Sequence, residues 1–325
     1  MKSEARFNGF KNELSQIFNF YELKVLDAQR LEDGMINSSY KLITEGGLKF
    51  VLRVYKNGVK TNKDIQKELL FMGEMENHGI PVPVIIDNIY GTKLSVFNDV
   101  SGAEWRAIVM TFVEGRHLKS NDFDIIPEFA IYQAKMHLAS DKLEKDFDAP
   151  NFKAMIDWMD KEFEETKSKK ITEEVLSKIE NIYNELKQDI DLSYKDIVEL
   201  PYGDVHLDYD SDNLIVNDKK IKAILDFDDI SCQPFILDIA NSLLWWLFKN
   251  KQEDYKKILQ SYFKNYRKTR EISEKELKFL NLFLRMRNLT LMCLLYVNTP
   301  EEVRYEKVNQ GINLDPLLTE VKWRL

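Results

Sequence analysis

The sequence predicts an α+β fold with two lobes: an N-terminal lobe built on an antiparallel sheet with one main helix, and a helix-rich C-terminal lobe. The first observation is a series of strand-like segments, separated by turn residues and interrupted by one amphipathic helix near 62–78. The second is an almost purely helical periodicity after residue 122. The polar segment "EGRHLKSND" (114–122) separates the two patterns. Such an order is typical of two lobes, with a ligand cleft expected between them.

The N-terminal elements follow from local periodicity. A leading helix over 3–18 is expected because Phe7, Phe10, Leu14 and Ile17 recur at a spacing of three and four residues. Strands are expected over 38–43, 48–55, 92–97 and 105–113. Helices of the C-terminal lobe are expected near 123–143, 152–168, 172–190, 235–249, 252–268, 274–297 and 315–323. Two short strands, 213–216 and 221–227, flank the turn "NDKK".

Composition limits the class of protein. The chain has 325 residues, of which 44% are hydrophobic and 31% charged, so it has ample length for a packed core. A net charge of −8 argues against a nucleic-acid partner. No run of 18 apolar residues occurs, which argues against a membrane partner. The two cysteines lie far apart, as in reduced thiols, and the expected location is the cytoplasm.

The segment "GDVHLDYDSDN" (203–213) offers two aspartates as a catalytic base, Asp204 and Asp208. Phosphoryl transfer requires a carboxylate that orients the attacking hydroxyl, oxygen ligands for magnesium and positive charge on the phosphates. Counting from Asp208 gives H-x-D-x-x-x-x-N, ending at Asn213, which is the spacing of a kinase catalytic loop. Across the two short strands, Asp226 of "DFDD" stands where a metal-binding aspartate is expected. The spacing therefore favours Asp208 as the base, with Asn213 and Asp226 as metal ligands.

Here "VHLDYDSDNLIV" and "AILDFDDISCQPFILDIA" resemble the aminoglycoside phosphotransferase and choline kinase family, small-molecule kinases with a protein-kinase-like fold. The family typically shows H-G-D-x-x-x-x-N followed by I-D-F or I-D-W. Leu207 replaces the glycine of that motif, and Asp210 stands where the family often has histidine. Asp238 matches the aspartate that, in the family, supports the catalytic loop from the next helix. The resemblance extends over roughly 30–300.

The resemblance also implies a cation and its partner in the N-terminal lobe. Arg53 stands where the family has a strand lysine, and arginine keeps the charge while gripping phosphate through its planar fork. Glu68 is the matching helix carboxylate that would hold this cation at the phosphates. Glu74 and Glu76 on the same helix are alternatives.

Further nucleotide contacts are implied by two short segments. "GMINSSYKL" resembles the family's turn over the phosphates and contributes Asn37 and Ser38. "MTFVEG" resembles the adenine-binding hinge and contributes Met110 and Phe112. The implied domains are a nucleotide-binding lobe over 1–113 and a helical lobe over 114–325, with the hinge near 110–116, the catalytic loop at 206–213 and the metal site at 226.

The expected function is an ATP-dependent, Mg²⁺-requiring phosphotransferase (a kinase) that phosphorylates a hydroxyl of a small molecule. The alternative is a catalytically degenerate kinase-fold module that binds nucleotide or a partner without turnover, for which Leu207, Asp210 and Arg53 are the grounds. A protein kinase fits less well because no A-P-E segment follows "DFDD".

The acceptor is expected to be an alcohol that carries an amine. Asp210, Asp228 and Asp229 bring negative charge to the mouth of the site, and Trp245 offers a ring face to an ammonium group. At this helical spacing beside "SLL", however, a tryptophan such as Trp245 is more often a plain core residue. Aminoglycosides, choline, ethanolamine, homoserine and methylthioribose all fit family precedent.

Overall fold

The α+β class is confirmed by a computed structural model, which describes residues 6–8, 12–31, 37–99, 101–141, 143, 150–169 and 172–320. Its contacts divide the chain into two compact units. One comprises 1–116 with 222–225, and the other comprises 117–221 with 226–325. The first is mainly sheet and the second mainly helix.

Seven strands form one sheet in the first unit, in the order β1-β2-β3-β4-β7-β5, with β6 also paired to β7. Every pair is antiparallel except β1 with β2. The bounds are β1 (Arg6–Asn8), β2 (Val25–Arg30), β3 (Ser38–Thr44), β4 (Lys49–Tyr55), β5 (Ile85–Ile86), β6 (Ser95–Asn98) and β7 (Glu104–Thr111). One face of this sheet buries Tyr40, Leu42 and Leu52 against the N-terminal segment.

The predicted leading helix over 3–18 is wrong in its bounds. Arg6–Asn8 form strand β1, paired in parallel with β2, and within the described part of 3–18 helix appears only as a 3-10 turn over Asn12–Gln16 and the start of the short α1 (Ile17–Phe20). Pairing to a sheet edge satisfies main-chain groups that a helix would satisfy internally, and here that pairing prevails over the three-and-four pattern. The apolar side chains Leu14 and Ile17 are nevertheless buried, as the pattern indicated.

The main helix of this unit, α2 (Asn62–Asn77), has clear sequence reasons for its ends. Thr61 caps it through a reciprocal capping box with Asp64, and Gly79 follows its end with a φ of +68°, which costs glycine little. The predicted apolar face is buried, consisting of Ile65, Leu69 and Met72.

The second unit is built around eight helices within the described residues. They are α3 (Ile126–Asp141), α4 (Phe152–Lys167), α5 (Glu173–Val198), α6 (Phe235–Lys249), α7 (Gln252–Tyr266), α8 (Glu274–Lys278), α9 (Leu280–Asn298) and α10 (Glu301–Glu320). By length and composition α9 could cross a membrane, but 61% of its most apolar window is buried inside the protein. It therefore has the character of a core helix.

Short strands carry the segment that the sequence analysis singled out. They are β8 (Arg116–His117), β9 (Tyr202–Val205), β10 (Leu214–Asn217), β11 (Lys220–Ile224) and β12 (Ser231–Pro234), of which β9 pairs with β12 and β10 with β11. Asp218 and Lys219 both have positive φ, of 49° and 60°. Two such residues between paired strands are typical of a tight type I′ hairpin. The hairpin brings the start of β10 close to the end of β11.

Candidate active site

The two rival aspartates occupy different environments. Asp204 lies inside β9, where it pairs with Cys232 of β12. Asp208 lies in the loop that follows this strand, with 38% of its side chain exposed. A base must reach a substrate hydroxyl, and of the two only Asp208 lies on a loop beyond the paired strands.

Leu207, which precedes this aspartate, has a left-handed backbone with a φ of 63°. A Cβ atom makes this conformation costly, by roughly 1–2 kcal/mol. Two side chains of α6 hold it in place: Asp238 Oδ1 accepts the Leu207 N–H at 2.7 Å, and Asn241 Nδ2 donates to the Leu207 carbonyl at 3.2 Å. Leucine thus adopts the backbone that the glycine of the family motif adopts at low cost.

Asp238 is itself held by a buried polar cluster. Its Oδ2 accepts hydrogen bonds from Gln133 Nε2 at 2.6 Å and from His137 Nε2 at 2.9 Å. Burial lowers the pKa of His137, so its imidazole is neutral, donates to Asp238 and accepts from the Tyr266 hydroxyl at Nδ1 over 2.6 Å. Burial opposes ionisation of Asp238, yet the hydrogen bonds from His137 and Gln133 outweigh it and lower the pKa of this carboxyl. An ionised Asp238 therefore holds the Leu207 peptide.

Asp208 and Asn213 are brought together as their spacing predicted. Asn213 Nδ2 donates to Oδ2 of Asp208 at 2.8 Å and to its main-chain carbonyl at 2.9 Å. Among the described residues no hydrogen bond reaches Oδ1 of Asp208.

Asn213 and Asp226 flank the β10–β11 hairpin. Asn213 directly precedes β10, and Asp226 comes two residues after β11, so the hairpin carries both at its open end. Asp226 is half-buried and has a φ of 58°, a left-handed conformation that aspartate tolerates better than most residues. An amide oxygen and a carboxylate are hard oxygen donors, which is the chemistry that Mg²⁺ prefers.

A group of three or more His, Cys, Asp or Glu side chains that could hold a metal is absent from the described part of the chain. A magnesium ion bound by one or two protein groups, phosphate and water requires no such group. The Asn213 and Asp226 donor set therefore fits this ion.

His206 supports the loop from within the core. It is 1% exposed, and its Nδ1 accepts the Asp208 main-chain N–H at 3.3 Å. Its ring lies 4.7 Å from the ring of Phe227. These contacts fit a bracing role rather than proton transfer.

The residues predicted to bind the substrate are distributed unevenly. Asp210 belongs to the Asp208 loop, and burial together with the charge of Asp208 raises its pKa to about 7. Asp228 is half-buried and Asp229 exposed, both just beyond Asp226 in the sequence. Trp245 is half-buried on α6, edge-to-face with the core residue Trp246 at 4.9 Å.

The sequence analysis missed a cation beside Asp208. Arg287 of α9 has its guanidinium 3.7 Å from Asp208 Oδ1 and 5.4 Å from the ring centre of Trp158 on α4. A signal for it existed, because Arg285 and Arg287 are the two charged residues of this helix. Arg285 donates hydrogen bonds to two carboxylates, Asp315 and Glu185, whereas within the described residues Arg287 donates none and lies beside one carboxylate, Asp208.

In the first unit, Arg53 and Glu68 lie on either side of Tyr55. The Arg53 guanidinium is 5.6 Å from the ring centre of Tyr55, whose hydroxyl donates to Glu68 Oε1 at 3.1 Å. Both charged residues are buried, with 8% and 2% exposed. A second missed cation, Lys60, donates to Glu68 Oε2 at 3.3 Å and lines a cavity of about 480 Å³ with Lys63 and others.

The remaining predicted nucleotide contacts take part in the first unit's own structure. Asn37 Oδ1 accepts the Lys56 main-chain N–H at 3.1 Å, so it braces the ends of β3 and β4. Ser38 begins β3. Met110 lies inside β7, and the Phe112 N–H donates to the Lys49 carbonyl at 3.3 Å. Residues 34–36 of the predicted phosphate turn lie outside the described residues.

Comparison with known proteins identifies the class. The sequence model of the phosphotransferase enzyme family matches residues 27–272, which is more than half of the chain. The protein therefore belongs to this family. It is therefore a small-molecule kinase that transfers a phosphoryl group from ATP to a hydroxyl.

Individual relatives give finer comparisons. The chain is 28% identical over 306 residues to a homoserine kinase of Bartonella tribocorum, covering 90% of this chain and 88% of the relative. It is 24% identical over 245 residues to a homoserine kinase of Mesorhizobium japonicum, covering 74% and 71%.

Solved structures support the fold. An amicoumacin kinase in complex with AMP-PNP, Ca²⁺ and Ami has a TM-score of 0.75 at 18% identity, with 95% of each chain covered. A microcompartment-associated aminopropanol kinase has a TM-score of 0.73 at 17% identity, with 94% of this chain and 95% of that chain covered. The protein-kinase-like fold predicted from the motifs is confirmed.

Proposed function

We propose that this protein phosphorylates the side-chain hydroxyl of homoserine with ATP and Mg²⁺. The observation that carries the proposal is the pair Asp208 and Asn213, in which one carboxylate oxygen is held by the amide and the other accepts no hydrogen bond within the described residues. Homoserine is favoured over the other candidate acceptors because curated relatives over most of the chain are homoserine kinases. Homoserine is also an amine-bearing alcohol, which matches the acidic surroundings of Asp208.

In this proposal Asp208 accepts a hydrogen bond from the acceptor hydroxyl and takes its proton as the phosphoryl group is transferred. The carboxylate needs a fixed direction, which Asn213 provides at Oδ2 and His206 provides at the main chain. Positioning of this kind supplies a large part of the rate enhancement in phosphoryl transfer. Asp210, Asp228, Asp229 and Trp245 are proposed to face the acceptor's ammonium group.

Asn213 and Asp226 would hold the magnesium ion, which when bound neutralises charge on the nucleotide phosphates. Arg53, buried beside Tyr55 and Glu68, is proposed to bind phosphate oxygens. Lys60 joins this set as a further cation on Glu68. Asn37, Ser38, Met110 and Phe112 are proposed to line the nucleotide site, and a cytoplasmic location without nucleic-acid or membrane partners completes the proposal.

The first experiment measures ADP release with homoserine in the wild type, Asp208→Asn and Asp204→Asn. We expect homoserine-dependent release in the wild type and a loss of about two to four orders of magnitude in Asp208→Asn, as for removal of a general base. Asp204→Asn should keep its turnover because Asp204 belongs to a paired strand. Equal losses in both variants would contradict the assignment of the base.

The second experiment separates nucleotide binding from turnover. Saturation at about a hundred times the dissociation constant stabilises a folded protein by roughly 2.7 kcal/mol, which raises its melting temperature. Mg²⁺ and ATP should raise the melting temperatures of the wild type and of Asp208→Asn. The rise should be smaller in Asp226→Asn. An equal rise in Asp226→Asn would remove Asp226 from the metal site.

A further inference from the structure

Arg287 is the cation nearest to the oxygen of Asp208 that can receive the acceptor. Its guanidinium lies 3.7 Å from Asp208 Oδ1, which exceeds hydrogen-bond distance. Among the described residues its other contact is the ring of Trp158, at 5.4 Å. The side chain is 19% exposed, so its donors are only partly solvated and yet make no hydrogen bond within the described residues.

A neighbouring arginine shows what a purely structural arginine looks like on the same helix. Arg285 donates through Nε to both oxygens of Asp315, at 3.2 and 3.1 Å, and through Nη2 to Glu185 at 2.7 Å. Arg287 has none of these bonds although its side chain is also mostly covered. Within the described part of the chain, no buried atom without a hydrogen-bond partner belongs to Arg287, so its donors reach water in the free protein and are available to a bound acceptor.

The position of Arg287 limits what that partner is. Any acceptor whose hydroxyl reaches Oδ1 of Asp208 comes within a few bonds of the guanidinium. Arginine's planar fork matches a carboxylate through two parallel hydrogen bonds, and the Trp158 ring fixes the plane of the fork. A plain cationic alcohol would instead bring a second positive charge close to the guanidinium.

We infer that Arg287, oriented by Trp158, binds the carboxylate of the acceptor, so that the substrate class is a small hydroxy amino acid rather than an amino alcohol. The inference rests on the proposed function and names a specificity-determining residue for it. The positive charge also opposes the charge repulsion between Asp208 and Asp210. This electrostatic effect on the loop is the rival explanation that the experiment must separate.

The test compares homoserine with 3-amino-1-propanol, called aminopropanol below. This compound is homoserine with the carboxylate replaced by hydrogen. Specificity constants are measured for the wild type, Arg287→Met and Arg287→Lys. We expect the wild type to prefer homoserine, and Arg287→Met to lower kcat/KM for homoserine on the order of 100-fold while changing that for aminopropanol only a few-fold. Arg287→Lys keeps the charge without the fork and should recover part of the preference.

Arg267→Met is the matched control, because Arg267 also lies over a ring, that of Phe263 at 5.8 Å, and is exposed directly after the end of α7. It should leave both specificity constants unchanged. Equal losses for both acceptors in Arg287→Met would overturn the inference in favour of the electrostatic role, while the proposed function would stand. Preference of the wild type for aminopropanol would overturn both the inference and homoserine as the substrate. Failure of the proposed function itself would appear separately, as absence of acceptor-dependent ADP release with either molecule.

Discussion

The left-handed backbone at Leu207 leads to a prediction of unusual sign. Replacing a residue by glycine normally destabilises a helix or strand by about 0.5–1 kcal/mol relative to alanine, because glycine has more freedom in the unfolded chain. At position 207 the φ of 63° adds a steric cost for any Cβ atom, roughly 1–2 kcal/mol. Leu207→Gly and Leu207→Ala both remove the half-buried leucine side chain. Their difference therefore isolates the backbone contribution.

The two magnitudes oppose each other, and the steric cost is the larger. We therefore expect Leu207→Gly to be more stable than Leu207→Ala by about 0.5–1 kcal/mol. The native conformation itself should persist in both variants, because Asp238 and Asn241 bind the main chain of residue 207 rather than its side chain. The measurement is the free energy of unfolding in urea, compared through the transition midpoint at constant slope.

A control pair of variants should show the usual order of stability, in which alanine is more stable than glycine. Lys256 is an exposed residue inside α7, where Lys256→Ala should be more stable than Lys256→Gly by about 1 kcal/mol. If Leu207→Ala is as stable as Leu207→Gly or more stable, the backbone at residue 207 is not strained. Asp238 then has no strained conformation to hold in place.

Three further predictions concern the surroundings of the same loop. Gly203→Ala places a Cβ atom 2.5 Å from Ser140 Oγ and should cost about 1–3 kcal/mol of unfolding free energy in urea. Tyr266→Phe leaves Nδ1 of buried His137 without its donor and should cost about 1–3 kcal/mol in the same assay. The pKa of Asp210, raised to about 7, means that the folded state retains a proton which the unfolded state releases near pH 3.8. Stability relative to Asp210→Asn should therefore fall as pH rises from about 4 to about 7, measured as urea midpoints across that range.

Each of these has a control or a contradicting outcome. Gly46→Ala, whose Cβ would lie 3.9 Å from its nearest neighbour, should be close to neutral, and a neutral Gly203→Ala would show that the core yields there. Tyr255→Phe removes a hydroxyl for which the described structure has no hydrogen-bond partner, so a cost equal to that of Tyr266→Phe would contradict the His137 contact. A difference between wild type and Asp210→Asn that does not change with pH would refute the raised pKa.

Much of the fold could be predicted because its signals are local. The helix over 62–78 carries its own capping residues and ends at a glycine, and α2 occupies Asn62–Asn77. Two strands on either side of the turn "NDKK" were expected from the sequence, and the structure has β10 and β11 at these positions. Two of the expectations that failed concern the ends of the chain. Residues 6–8 pair with a strand about twenty positions later, and the final helix, expected over 315–323, begins at Glu301.

The residue types and spacing of the catalytic loop were determined by the sequence alone, because Asp208 and Asn213 lie close enough in the chain to meet through one loop. Which distant groups complete that loop was decided only by the tertiary structure. Asp238 reaches the Leu207 peptide from α6, and Arg287 reaches Asp208 from α9. Such contacts depend on how whole helices pack, and packing free energy is summed over many side chains rather than encoded in any short motif. The residue types of the loop could therefore be predicted from the motif, and the distant groups that contact it could not.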